Sequence, residues 1–214
     1  MTILEIYNNF KNQCEISRKT ITEVRKSKYN SDDVLMAVRD LTIKQAFLAV
    51  FSEWEHFLEN STIAYSLGEE SVCSFRPTKY ISPLDIDHAE QLIKGSATYP
   101  DWSDIDSVKK TALRLFKDGQ PYTRALNGFS SVFKDIKKVR NVIAHNSIKS
   151  QKEFDTVVRN SLRADLVGIT PTEFLLSKKN SSPFFYELYI THIENAATII
   201  SNYSGETAVT TLEE

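Results

Sequence analysis

Glycine and proline are scarce, at six residues each in a chain of 214, so turn-rich β architectures have little to be built from. Cysteine is scarcer still. Cys14 and Cys73 stand far apart, with no C-x-x-C pair and no histidine at ligand spacing, which excludes a disulfide framework and a zinc module. A reducing, cytoplasmic setting is the expectation from that usage. No apolar run reaches the length of about 18 residues that spans a bilayer. Met1-Thr2-Ile3-Leu4-Glu5 has no basic-then-apolar leader, so a soluble chain without a membrane partner is expected. Charge of one sign is also lacking: 26 Lys and Arg against 28 Asp and Glu leave a net charge of -2 and a pI near 6.1. Any contact with nucleic acid must therefore come from a local patch rather than a global field. Neither G-x-G-x-x-G nor the P-loop pattern occurs, which argues against the common dinucleotide-dependent and NTP-hydrolysing chemistries.

What the chain does have is helical periodicity. Ile3, Ile6, Tyr7, Phe10, Cys14, Ile21 and Val24 recur at three- and four-residue spacing and predict an amphipathic helix to about Lys26. Asn30-Ser31-Asp32-Asp33 offers N-cap chemistry for a second, very long helix from Val34 to about Tyr65, ended by Gly68. Its middle, from Ala46 to Leu58, is apolar nearly all round and belongs at the centre of a bundle. From 69 to 106 the pattern breaks around Phe75-Arg76-Pro77, Ser82-Pro83 and Tyr99-Pro100-Asp101-Trp102, with one short helix from Leu84 to Lys94, and reads as an irregular insertion.

Helical spacing returns at Val108–Phe116, stops at Gly119-Gln120-Pro121, and resumes as one helix from about Arg124 through Ala144. A further helix is expected over Phe154–Leu162, an irregular segment over Val167–Asn180, and a closing helix over Pro183–Tyr203. The expectation is an all-α bundle with long antiparallel helices, a single domain over 1–204 and a frayed tail over 205–214.

The chemistry-bearing stretch is Lys137-Lys138-Val139-Arg140-Asn141-Val142-Ile143-Ala144-His145-Asn146-Ser147. Arg140 and His145 fall within about one and a half helical turns at a predicted helix end. A guanidinium grips phosphate through a rigid fork of donors, and an imidazole gives or takes a proton near neutrality. Taken alone, the pair reads more readily as a solvated Arg and a polar His closing a turn, and only its context favours chemistry. Glu55 is placed to pair with Arg140 and hold it; Glu53 is an equal competitor by position, and Glu55 is preferred for its place beside Trp54 and Phe57. Asn141 carries an amide able to orient His145 or bind a phosphate oxygen. Lys137, Lys138 and Lys149 belong to the densest basic stretch and suit an RNA backbone, or else form a solvated face. Trp54, Trp102, Tyr99 and Phe184 offer rings for base stacking, against the commoner role of such residues as core. His56, His88 and His192 have no partners at ligand spacing and receive no role.

The R-x4-H run, with a polar residue after the Arg, resembles the motif of the HEPN superfamily, the higher eukaryote and prokaryote nucleotide-binding helical domains. Ser52-Glu53-Trp54-Glu55-His56-Phe57-Leu58 is similar to that family's acidic, aromatic-rich segment facing the motif helix. The resemblance implies a metal-independent endoribonuclease that needs no cofactor. It implies catalytic roles for Arg140, His145, Asn141 and Glu55 in a site shared by two protomers, and a setting in a toxin–antitoxin or phage-defence system with a partner protein. Family members silenced by adenylylation often carry Tyr two residues after the motif His; here that position is Ser147. The alternative is a non-catalytic helical module that binds nucleotide, RNA or a partner protein.

Overall fold

Residues 1–26, 33–95, 100–163 and 168–205 are described in the computed structural model, and among them every regular element is a helix. Helix α1, Ile3–Lys26, buries Ile3, Ile6, Phe10, Cys14, Ser17 and Ile21, the three–four stripe that its sequence carries. Its first turn is closed reciprocally, with Thr2 N donating to Glu5 Oε2 at 2.8 Å and Glu5 N donating to Thr2 Oγ1 at 3.2 Å. Helix α2, Asp33–Leu67, is the axis of the molecule, with Phe47, Val50, Phe51, Trp54, Phe57 and Leu58 buried in succession. The short connection, and Phe10 packed 5.3 Å from Phe57 and 6.0 Å from Trp54, make α1 and α2 an antiparallel pair. The expected cap at Asn30-Ser31-Asp32 lies outside the described residues, as does the tail from Glu206.

The insertion is more regular than its sequence suggests. Helix α3, Ile86–Lys94, is N-capped by Asp85, whose side chain accepts from His88 N at 2.8 Å. Lys79 pairs across an antiparallel bridge with Phe116, and Lys79 Nζ donates to Ser66 O at 2.7 Å. Helix α4, Ile105–Leu115, follows with Asp104 as its cap.

The single helix expected from Arg124 to Ala144 is two: α5, Tyr122–Asn127, and α6, Ser130–His145. Asn127 and Gly128 are poor helix formers, and Ser130 Oγ turns back on Leu126 O at 3.0 Å, so the chain bends at Phe129. Helix α7, Ile148–Leu162, begins six residues before the expected Phe154, because Ser147 and Ser150 form a reciprocal cap that an apolar pattern does not register. Within the stretch expected to be irregular, Thr170 and Glu173 cap a short helix α8, Pro171–Leu175.

Helix α9, Phe185–Ser201, runs antiparallel to α1. Arg18 pairs with Glu194 at 2.6 Å, Thr22 bonds Tyr186 at 3.0 Å and Tyr7 bonds Thr198 at 2.8 Å. Each of the nine α-helices among the described residues contributes buried apolar side chains to one continuous cluster. None of the described helices is long and apolar enough to cross a membrane.

Candidate functional site

Helix α6 faces the core with Phe133, Ile136, Val139 and Val142, and this stripe sets where its polar residues point. Phe133 stacks on Trp54 at 5.4 Å, which locks α6 across the middle of α2. Arg140 lands at the edge of that contact. Its Nη2 lies 3.4 Å from Glu55 Oε1, its Nη1 donates to Asn141 Oδ1 at 3.2 Å, and its guanidinium carbon sits 5.4 Å from the Phe51 ring centre. Both charged side chains are about three-quarters covered, at 25% and 23% exposure. Burial raises the Glu55 carboxyl above its ordinary value, Arg140 opposes that rise, and Asp101 adds to it. Glu55, not Glu53, is the partner of Arg140; Glu53 faces His56 at 3.7 Å.

His145 is the last residue of α6 and is exposed. Asn146 then turns into the left-handed region at φ 42° and ψ 41°, and its N–H closes on Val142 O at 3.1 Å. Five residues of helix put Arg140 and His145 about 140° apart around the axis and about 7.5 Å apart along it. The structure thus gathers Arg140, Asn141 and Glu55, and leaves His145 on the open corner between α6 and α7. Asn141 engages Arg140 rather than His145.

The three lysines differ. Lys137 Nζ bridges Asp101 at 3.0 Å and Asp104 at 3.1 Å and is only 23% exposed. Burial opposes its charge, but the two carboxylates outweigh burial and raise its pKa. Those carboxyls are held below their usual range: burial pushes each up, and the bonds from Lys137, with Ser103 at Asp101 and the α4 N-terminus at Asp104, pull further down. Lys138 lies 3.5 Å from Asp135, whose carboxyl is raised by burial. Lys149 is 86% exposed and stands 3.9 Å from Glu153.

Composition and spacing gave no role to Asp101, Asp104, Asp106 or Phe51. The one signal for the three Asp residues is an acidic Asp101-x-x-Asp104-x-Asp106 run set against a basic one of similar length. Trp54 and Trp102 are core residues rather than stacking surfaces, at 1% and 8% exposure. Phe184 is flanked by Arg25 at 4.5 Å and Lys178 at 4.2 Å, and Tyr99 lies outside the described residues. Among the described residues no group of three His, Cys, Asp or Glu is arranged to hold a metal ion.

A groove of about 750 Å³ between α4 and α5, lined by Lys109, Leu113, Gln120 and Thr123, lies apart from Arg140. No protein-family model matches the chain, and neither a curated protein nor a solved structure is significantly similar to it.

Proposed function

We propose that the chain is a HEPN-type, metal-independent endoribonuclease acting as the effector or toxin of a bacterial toxin–antitoxin or phage-defence system. The observation that carries this reading is an arginine braced by Glu55 and Asn141 on the same helix whose last residue is an open histidine. A braced guanidinium is pre-set to receive a phosphate oxygen, and one with a carboxylate partner can exchange it for a dianionic phosphorane without reorganising.

Cleavage removes the proton of the 2′-hydroxyl, forms the bond from its oxygen to phosphorus, and breaks the bond to the 5′-oxygen. The products are a 2′,3′-cyclic phosphate and a 5′-hydroxyl. His145 is assigned the proton transfers and Arg140 the charge that builds on the non-bridging oxygens. One imidazole cannot stand on both sides of the phosphorus at once. With His145 exposed and turned away from its own Arg140, the reading takes a symmetric dimer in which two corners face one cleft.

The rival, a binding module without catalysis, draws on the same Arg140–Glu55 contact, since a structural ion pair would look alike. The two are separated by incubating labelled single-stranded RNA and tRNA with the protein in EDTA, beside His145→Ala and Arg140→Ala. Loss of a general acid/base costs about 10² to 10⁴ in rate, so cleavage by the parent and none by either variant is expected. Equal cleavage by all three, or none by the folded parent, would sink the catalytic reading.

A further inference from the structure

Three of the four cations on α6 are each answered by a carboxylate from another part of the chain. Lys134 Nζ lies 3.2 Å from Asp106, Lys137 Nζ lies between Asp101 and Asp104, and Arg140 meets Glu55. The three cations are three residues apart, about 4.5 Å along the helix axis from one to the next. Three of the four carboxylates come from one stretch, 101–106, at the end of the insertion. A row of anions laid on a row of cations is also what a phosphodiester backbone offers to a basic helix.

We infer that residues 101–106 are an internal stand-in for RNA: they occupy the Lys134–Lys137 face of α6, and RNA phosphates must displace their carboxylates to bind beside Arg140. This rests on the RNA-cleaving reading and deepens it, because it names the binding face and the device that restrains it.

The exchange takes place at the level of side chains. Trp102 and Ile105 are buried, at 8% and 4% exposure, and fix the backbone of the strap. Asp101 and Asp104 are more open than Lys137, at 57% and 42% against 23%, so the anions lie on the solvent side of the ammonium. The flexible lysine stem can then move from carboxylate to phosphate while the fold stays closed. An open hollow of about 340 Å³, lined by Asp101, Asp104, Asp106, Ser107 and Lys110, adjoins the strap. Lys110, exposed and without an ion pair among the described residues, stands on the rim of that hollow as a first contact for an arriving phosphate.

Lys149, by contrast, sits on the far side of the α6–α7 corner, beyond His145. The cationic track therefore runs from Lys110 across Lys134 and Lys137 to Arg140, toward rather than past the histidine.

The test is the affinity of Asp101→Asn/Asp104→Asn for 2′-O-methyl RNA, which lacks the attacking hydroxyl and is not consumed. Asn caps a helix as well as Asp does, so α4 keeps its start; Asp101→Asn alone leaves that cap untouched and serves as the second variant. Exposed ion pairs are individually weak, so releasing Lys137 from both carboxylates should tighten binding about three- to thirtyfold. Asp87→Asn/Glu90→Gln on α3 makes the same change in net charge away from α6, and its gain should be smaller. In a Lys137→Ala background the neutralised strap should give no gain beyond that of the control.

A gain no larger than the α3 control, or one that survives Lys137→Ala, would overturn the inference. Cleavage of unmodified RNA by the parent is followed in parallel. Cleavage without the affinity gain removes the strap alone; neither cleavage nor binding removes the ribonuclease reading and the strap with it.

Discussion

Arg140 shows how a single residue comes to be held ready. Glu55 supplies the opposing charge, Asn141 an acceptor, and Phe51 a ring face, so the guanidinium has little rotational freedom left. Glu55 is costly in return, since burial raises its carboxyl despite the arginine. The Asp101 and Asp104 carboxyls lie on the other side of the ledger, both held low in the folded state. A lowered carboxyl contributes stability that is present above its unfolded pKa of about 3.9 and is lost as pH falls through the folded value. Asp101→Asn/Asp104→Asn should therefore melt below the parent at pH 7, and the gap should close as the pH drops toward 3. Thermal melts across that range check this, and a gap that stays constant would mean that Lys137 gains nothing from the two charges.

At the scale of elements, the α6–α7 corner decides where the histidine stands. The left-handed Asn146 stops α6, and the Ser147–Ser150 cap starts α7 at once, so His145 has no slack in which to fold back on Arg140. Losing an N-cap hydroxyl costs about 1 kcal/mol. Ser147→Ala should lower stability by about that amount in urea melts and depress RNA cleavage more than substrate affinity, whereas an unchanged cleavage rate would show the corner to be a passive linker.

Elements also mark what the residues alone made legible. The stripes of α1 and α2 were readable because buried residues repeat every three or four positions, and Glu55 was readable because it sits among aromatics. The break at Phe129 was not, since its apolar spacing continues across Gly128 unchanged. The starts of α7 and α8 were not either, because capping boxes are local polar bonds and leave no apolar period. Least legible was the strap: an acidic run and a basic run 33 residues apart, as Lys137 is from Asp104, announce no contact until the fold brings them together.

For the whole molecule, one chain presents a braced arginine and an open histidine that do not meet. Mixing the Arg140→Ala and His145→Ala proteins, each inactive alone, should restore part of the RNA cleavage if two chains share a cleft. If every site lies within one chain, the mixture stays inactive, and sedimentation of the parent at micromolar concentration tells whether the pair forms at all. The same scale gives the last helix a role in timing. Helix α9 covers the second face of α1, Tyr65 Oη donates to Ile200 O at 2.7 Å, and Val72 N donates to Ser201 O at 2.9 Å, so the base of the insertion is tied to the end of α9. A nascent chain cannot close its core until residues near 201 have left the ribosome, long after Arg140 and His145 have been translated. Translation of the α6–α7 corner is thereby separated in time from closure of the core around it.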